Sequence, residues 1–141
     1  MNPFITIQNY PVYVGPGLLD SVGKLVSPRG KVFVITSRAL TKFGVSVATS
    51  FNPSAEIVTI EEGEANKTLA TANAIVTQLL DRGAKRDSMA VVVGGGMLGD
   101  TGGFAASIFL RGIDLVHVPT TLLAQVDSSI GGKVAVNHAL G

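Results

Sequence analysis

The chain contains neither cysteine nor tryptophan among its 141 residues. The absence of cysteine excludes disulfide bonds, thiolate metal sites and a cysteine nucleophile. Lysine and arginine number 11 against 10 acidic residues, so the net charge is +1, and no segment carries a basic cluster. Because nucleic-acid binding needs such a basic surface, we expect no nucleic-acid partner.

Long apolar runs are also missing from the sequence. No uninterrupted apolar segment approaches the roughly 20 residues that a membrane-spanning helix needs. The N-terminal residues Met1–Phe4 carry no basic region followed by an apolar stretch. We therefore expect no membrane partner and no secretion signal, and a cytoplasmic location is the default expectation. With 46% hydrophobic and 15% charged residues, the composition is typical of a single soluble domain with its own core.

What the sequence does contain is an alternation of apolar strands with helical segments. Strands are predicted over residues 10–14, 31–36, 56–60, 89–93 and 113–118. Helices are predicted over 18–26, 39–48, 97–110 and 122–128, with a further helix, third in chain order, that follows Asn66 and is stopped by Gly83. Asn66 is the expected N-cap of the third helix, whose predicted buried face is Leu69, Ala72, Val76, Leu79 and Leu80. This alternation predicts an α/β fold, a Rossmann-like parallel sheet flanked by helices.

Ligands of such folds bind beyond the carboxyl ends of the strands. Four polar or glycine-rich segments follow the predicted strands at these ends: Ser37, Glu61–Glu64, Gly94–Gly96 and Thr120–Thr121. The glycine segment is the most informative, because Gly94, Gly96 and Gly99 match the pattern G-x-G-x-x-G at the start of a helix. Free amides and the helix dipole favour a phosphate at such a helix start. Tight packing of strand against helix is the alternative explanation of these glycines.

Several charged and polar residues allow two interpretations at this level. Asp100 either stabilises the first helical turn or binds a ribose or nicotinamide group, and Arg111 is either a helix-end partner or an anion clamp. Thr120 and Thr121 either cap the next helix or face a ligand. His117, in an apolar strand, is more typical of a core histidine than of a metal ligand.

The same ambiguity applies to the charged residues of the loops. Glu64 and Lys67 flank a helix start and are compatible with a solvated surface. Asp127 fits a polar helix end, and Lys133, in a Gly-Gly-Lys sequence, fits an exposed loop. Two glycines before a lysine also suit a phosphate, since they expose backbone donors beside a point charge.

Longer motifs resolve part of this ambiguity. The sequences GGGMLGD at 94–100, LRGID at 110–114, VPTTLLAQVDSSIGGK at 118–133 and AVNH at 135–138 resemble the signature of the 3-dehydroquinate synthase family. GEANKT at 63–68 is similar to that family's earlier Gly-Glu-x-x-Lys-Thr motif. A run of this length is much more specific than a single short pattern.

The resemblance implies an NAD-dependent and metal-dependent lyase, with zinc or cobalt as the metal. Its substrate would be a sugar phosphate, 3-deoxy-arabino-heptulosonate 7-phosphate, and its products 3-dehydroquinate and phosphate. In such an enzyme NAD oxidises a ring hydroxyl transiently, phosphate is eliminated and the ketone is reduced before ring opening and aldol closure. The cofactor carries out the hydride transfer, while the protein positions the cofactor and polarises the substrate.

The resemblance also assigns roles to individual residues. Glu64 and Lys67 would bind the adenosine side of NAD, and Asp127 and Lys133 would touch substrate or cofactor at the reacting centre. Arg111 would bind the substrate phosphate across the interface of a homodimer. The remaining cofactor-binding residues implied are Gly95, Gly96, Gly99, Asp100, Thr120 and Thr121.

The sequence departs from the family at several positions. Ser37 stands where an aspartate usually ends the second strand, Val134 replaces a usual threonine and Ala139 a common proline. The family's metal ligands, a glutamate and two histidines, belong to a C-terminal helical domain beyond Gly141. We therefore expect residues 1–141 to be one NAD-binding domain of a longer protein, with no metal ligands and no turnover by itself.

Three other functions remain compatible with the sequence. A sibling sugar-phosphate cyclase, making 2-deoxy-scyllo-inosose or a valiolone, would share the cofactor-binding half. An iron-dependent alcohol or glycerol dehydrogenase would share the triple glycine and Pro-Thr-Thr, and would release NADH. A non-catalytic nucleotide-binding module would have little need of Asp127 and Lys133.

Overall fold

The computed structural model describes residues 1–141 and has a four-stranded parallel sheet at its centre. The sheet order is β4-β3-β5-β6, and every neighbouring pair is parallel. Its strands are β3 (Val32–Ser37), β4 (Glu56–Ile60), β5 (Met89–Gly94) and β6 (Asp114–Pro119), and a separate antiparallel hairpin pairs β1 (Ile5–Ile7) with β2 (Tyr10–Val12). The predicted α/β fold is confirmed.

Four α-helices connect or precede these strands: α1 (Val22–Leu25), α2 (Thr41–Thr49), α3 (Leu69–Asp81) and α4 (Gly96–Ile108). Single 3₁₀ turns cover Leu19–Ser21, Arg38–Leu40, Glu64–Asn66 and Phe109–Arg111, and a π-helical turn covers Ala124–Ser128. None of the helices combines the length and apolar character that crossing a membrane would require.

The two central strands are buried along their whole length, which explains their uninterrupted apolar sequences. Because side chains alternate across a strand, Ile35 and Val92 face α3 and α4, while Val34 and Val91 face α1 and α2. Each face of the sheet thus has its own core.

The topology places a crevice between β3 and β5. From β3 the chain passes through α2 on one face to the outer strand β4, and from β4 it returns through α3 on the opposite face to β5. The helices that follow β3 and β5 therefore lie on opposite faces. Such a divergence at the carboxyl ends is where open α/β sheets bind ligands.

Two predictions for α3 are wrong in detail. Its N-cap is Thr68, whose side chain accepts a hydrogen bond from the Thr71 amide at 3.2 Å, whereas the Asn66 side chain donates to the Glu62 carbonyl. The buried face consists of Ala72, Ile75 and Leu79, and the predicted Leu69 and Leu80 are exposed. Leu80 follows Leu79 by one residue, about 100° around the helix, so it points away from the sheet.

The differences between the predicted and observed elements are larger near the N-terminus. The predicted strand 10–14 is shorter, Tyr10–Val12, and its partner Ile5–Ile7 was not predicted. The predicted helix 18–26 is a 3₁₀ turn followed by a single α-helical turn. Such short elements depend on tertiary packing more than on local propensity.

Candidate functional site

The turn between β5 and α4 contains no side chain larger than hydrogen at its three central positions. β5 ends at Gly94, Gly95 is the N-cap and Gly96 begins α4. The Thr120 amide donates to the Gly94 carbonyl at 3.0 Å, so the loops after β5 and β6 are held together. Because the first amides of a helix lack partners within it, this turn can accept an anion.

The glycines of this segment serve two different purposes. A Cβ atom at Gly94 would collide with Leu98, and one at Gly102 would lie 2.9 Å from Val92 Cγ2, so these two glycines permit tight strand–helix packing. A Cβ at Gly95 would lie 3.2 Å from Thr121 Cγ2, and one at Gly96 would lie 3.3 Å from Ser128 Oγ. A side chain at either position would press against the segment that follows β6, so these two glycines let that segment lie close to the turn.

A short ion pair lies beside the glycine turn. Lys67 Nζ donates to Asp100 Oδ2 at 2.7 Å, and their side chains are only 16% and 19% exposed. Asp100 is in the second turn of α4, and Lys67 precedes α3, so the pair joins two predicted site segments. The lysine therefore fixes the position of the aspartate side chain.

A second ion pair lies further out, beyond the carboxyl end of β6. Lys133 Nζ donates to Asp127 Oδ1 at 2.6 Å, and both side chains are more than half exposed. The hydrogen bond to Asp127 and the charge of that carboxylate raise the pKa of Lys133, with a further contribution from Asp100. The Lys133 ammonium therefore stays protonated and can donate hydrogen bonds.

The segment after Lys133 returns to the loop that follows β4. Asn137 Nδ2 donates to Glu64 Oε1 at 2.8 Å, and the Asn137 amide donates to the Lys67 carbonyl at 2.8 Å. An isolated parallel bridge pairs Thr68 with Asn137. The early GEANKT motif and the late AVNH motif are thus directly connected, although about 70 residues separate them.

His117, which its apolar strand predicts to be a core residue, is a further candidate for the site. It lines a small pocket at the carboxyl ends of β5 and β6 together with Gly95 and Gly99, and a Cβ at Gly99 would lie 3.4 Å from its Nδ1 atom. Burial lowers the pKa of His117, and the nearby Asp100 carboxylate opposes that shift. The sequence did contain a signal for this role, because His117 lies at the end of the last strand, just before the Pro-Thr-Thr segment.

Arg111 is not brought to this site. It is exposed, has a left-handed φ of 70° and lies at the other end of α4, before the amino end of β6. A helix of 13 residues places it roughly 20 Å from the glycine turn. The other predicted residues, including the exposed Thr121 and half-buried Thr120, lie at the carboxyl edge.

The side chains of this chain do not fit a metal ion. No group of three histidine, cysteine, aspartate or glutamate side chains lies close enough to hold one. Divalent metals in proteins need several such ligands.

The fold and the site define a doubly wound α/β domain with a glycine turn at its carboxyl edge. The chain belongs to the family described as 3-dehydroquinate synthase N-terminal, whose profile matches residues 57–141. This confirms the resemblance identified from the motifs.

Curated relatives agree with this family. The chain is 44% identical to the 3-dehydroquinate synthase of Pelotomaculum thermopropionicum, over 95% of this chain and 38% of that protein. It is 45% identical to the 3-dehydroquinate synthase of Blochmanniella floridana, over 94% of this chain and 38% of that protein. The chain thus spans well under half the length of these relatives.

Solved structures of sugar-phosphate cyclases have the same fold. A 2-deoxy-scyllo-inosose synthase matches with a TM-score of 0.83 and 34% identity, over 90% of this chain and 38% of that one. The ValA 2-epi-5-epi-valiolone synthase of Streptomyces hygroscopicus, with NAD⁺ and Zn²⁺ bound, matches with a TM-score of 0.79 and 28% identity, over 95% of this chain and 39% of that one. A probable glycerol dehydrogenase from Sinorhizobium meliloti, 21% identical with a TM-score of 0.53 over 73% of this chain and 26% of that one, shares the fold alone.

Proposed function

We propose that residues 1–141 are the NAD-binding part of a 3-dehydroquinate synthase. The observation that carries this proposal is the Lys67–Asp100 ion pair, which joins two family motifs close to the glycine turn. The related 2-deoxy-scyllo-inosose synthase complexed with carbaglucose-6-phosphate, NAD⁺ and Co²⁺ supports both a dinucleotide and a sugar phosphate as ligands. The complete enzyme would convert 3-deoxy-arabino-heptulosonate 7-phosphate into 3-dehydroquinate and phosphate.

In this proposal the glycine turn binds the pyrophosphate. Gly95, Gly96 and Gly99 have no side chain to keep a phosphate away from the backbone, and the first-turn amides donate to its oxygens. Asp100, held by Lys67, accepts a hydrogen bond from the nicotinamide ribose, with Thr120 and Thr121 beside it. Bound NAD supplies the removal and return of a hydride.

In this proposal the segment of Glu64 and Lys67 and the segment of Asp127 and Lys133 have complementary roles. Glu64, oriented by Asn137, and Lys67 bind the adenosine side. Lys133 is kept protonated by Asp127, so it donates a hydrogen bond to an oxygen of the cofactor or the substrate at the reacting centre. A zinc or cobalt ion would have to be held by residues outside 1–141, since none here fit it.

Arg111 fits the site only through a second subunit. Its position at the opposite end of α4 prevents it from reaching a substrate held at its own glycine turn. An exposed guanidinium is well suited to a phosphate. We therefore propose a homodimer in which Arg111 binds the substrate phosphate of the partner's site.

The cofactor proposal is tested by calorimetric titration of the folded chain with NAD. We expect saturable binding that Asp100→Ala or Gly95→Val weakens at least about ten-fold, the loss of one charge-assisted hydrogen bond or of the open turn. Gly15→Val is the matched control, because nothing lies within 4 Å of a Cβ placed there. A folded chain without NAD binding, or with binding unaffected at Gly95, contradicts the proposal.

A sibling cyclase is the second candidate, favoured by the TM-score of 0.83 with 2-deoxy-scyllo-inosose synthase. The two reactions can be separated by replacing the matching part of the Pelotomaculum relative with this chain. We expect phosphate release from 3-deoxy-arabino-heptulosonate 7-phosphate and none from glucose 6-phosphate; the reverse result selects the sibling activity. We also expect no 3-dehydroquinate from residues 1–141 alone, and detectable product would contradict that expectation.

A further inference from the structure

The N-terminal hairpin of β1 and β2 lies outside the central sheet and outside the site described above. Its two strands pair only with each other. One hydrogen bond connects the hairpin to the rest of the chain: the hydroxyl of Tyr10, in β2, accepts from the Gly131 amide at 2.8 Å. Neither the glycine turn nor the two lysine–aspartate pairs explains this contact.

The loop that Tyr10 contacts is the one that carries Lys133. Gly131 and Gly132 have left-handed φ values of 99° and 73°, and nothing lies within 4 Å of a Cβ placed at either position. The space on that side of both residues is open, and glycine has the greatest backbone freedom of any residue. The backbone of Gly131–Lys133 takes part in no other hydrogen bond. The Tyr10 hydroxyl is thus the one hydrogen-bonding partner that restrains the backbone of this loop.

Both ends of this loop are fixed by other contacts. Before it, the Ile130 amide donates to a carbonyl of the preceding π-helical turn at 3.0 Å. After it, Val134 packs so closely against α4 that a Cβ at Gly103 would collide with its side chain. The Cα atoms of Gly131 and Lys133 are at most about 7 Å apart, since two residues separate them. With both ends fixed, the position of the Gly131 peptide decides where the lysine side chain starts.

The hairpin can support the loop because the chain that follows it enters the core. Tyr10 is half-buried, and the residues after β2 lead to Leu19 and Val22. Val22 is buried, and Leu19 packs in the same core on the α1 and α2 face of the sheet. The Lys133–Asp127 pair gives no such support, since both residues belong to one exposed segment. Tyr10 therefore connects the loop to a fixed part of the fold.

We propose that Tyr10 is a positioning residue for Lys133: by accepting the hydrogen bond of the Gly131 amide, it holds the loop where the lysine meets its ligand. This inference rests on the proposed function, in which the Lys133 ammonium donates to the cofactor or the substrate at the reacting centre. In this role Tyr10 acts through the loop backbone and needs no contact with the ligand. Without its hydroxyl the glycines sample more conformations, and ligand binding must order the loop again, which lowers affinity.

The test is a double-mutant cycle in which calorimetric titration measures the affinity of the folded chain for NAD. Tyr10→Phe removes the hydroxyl and keeps the ring, so it should weaken NAD binding about three- to ten-fold, as expected for the loss of one hydrogen bond. In a Lys133→Met background the same change should alter affinity by less than about two-fold, because Tyr10 acts through the lysine. Tyr13→Phe is the matched control and should leave affinity unchanged, since this half-buried tyrosine uses its hydroxyl in no hydrogen bond within the chain.

A second measurement needs no ligand. Tyr10→Phe should speed the exchange of the Gly131 amide proton with solvent and lower the NMR order parameters of Gly131 and Gly132, whereas Tyr13→Phe should change neither. Circular dichroism establishes that each variant is folded. A loop that keeps its order in folded Tyr10→Phe overturns the inference.

The possible results separate this inference from the cofactor proposal. An affinity loss in Tyr10→Phe that disappears in the Lys133→Met background supports the inference. The same loss in both backgrounds, or equal effects of Tyr10→Phe and Tyr13→Phe, overturns it while leaving the cofactor proposal intact. A folded chain that binds no NAD overturns both.

Discussion

The two lysine–aspartate pairs of the site have nearly the same geometry and very different surroundings. Lys67–Asp100 is 2.7 Å long with side chains 16% and 19% exposed, whereas Lys133–Asp127 is 2.6 Å long with side chains 60% and 56% exposed. Removing one partner from an enclosed pair leaves an uncompensated charge, while an exposed pair exchanges its partner for water at little cost. The inner pair is therefore part of the framework, and the outer pair can release its lysine to a ligand.

The largest effect should follow from breaking the inner pair. Lys67→Met leaves the Asp100 carboxylate largely enclosed without its cation, so we expect a loss of about 2–3 kcal/mol in the free energy of unfolding. Urea unfolding followed by circular dichroism measures it. Lys133→Met, the matched change in the outer pair, should alter stability by no more than about 0.5 kcal/mol. Equal losses in both variants would show that exposure does not distinguish the pairs.

Affinity for NAD should distinguish the two pairs in a different way from stability, because a change in the outer pair should lower affinity alone. Lys133→Met should lower affinity for NAD about ten-fold while leaving the unfolding curve almost unchanged, since its ammonium contacts the ligand in the proposed site. Asp100→Asn should reduce both affinity and stability. Calorimetric titration and urea unfolding of the same samples separate these outcomes; a stability loss in Lys133→Met would contradict the assignment.

Salt should distinguish the pairs by a smaller amount. The coupling energy of Asp127 with Lys133, from a double-mutant cycle, should fall towards zero when about 0.5 M sodium chloride is added, because exposed charges are screened. The Lys67–Asp100 coupling should persist, since its charges are mostly enclosed. A salt-insensitive outer coupling would contradict this view.

The smallest effect concerns pH and His117. Burial lowers the pKa of His117 below its ordinary value of 6.5 in the folded chain, so the unfolded chain binds the proton more readily. Its contribution to stability is therefore present above pH 6.5 and is lost as the pH falls through the folded value. His117→Gln should flatten this slope in urea unfolding between about pH 5 and pH 7.5, and an unchanged slope would contradict the effect.

The central sheet could be predicted because its strands carry their own local signal. Val32–Ser37 and Met89–Gly94 are buried on both faces, so their apolar runs reflect the fold directly. The hairpin strand Ile5–Ile7 carries no such signal, as it is largely exposed and three residues long. The N-cap of α3 could not be predicted with certainty from the sequence, because Asn66 and Thr68 are both good capping residues.

The site could be predicted only in part. The motifs identified Asp100, Lys67, Asp127 and Lys133, but the pairing of Lys67 with Asp100 joins residues 33 positions apart, which no local pattern encodes. The same holds for Asn137, which the motifs contained without a role. The position of Arg111, away from the other candidates, follows from the length of α4 and is visible once that helix is placed.

The hydroxyl of Tyr10 accepts a hydrogen bond from the Gly131 amide at 2.8 Å, a contact between residues 121 positions apart. A contact of such long range closes nearly the whole chain into a loop, and the entropy cost of that closure leads us to expect that it forms late in folding. The loop that presents Lys133 is thus secured only after the sheet between these two ends is in place. A partly folded chain with an intact sheet would still lack its outer lysine–aspartate region, and order at that edge reports that folding is complete.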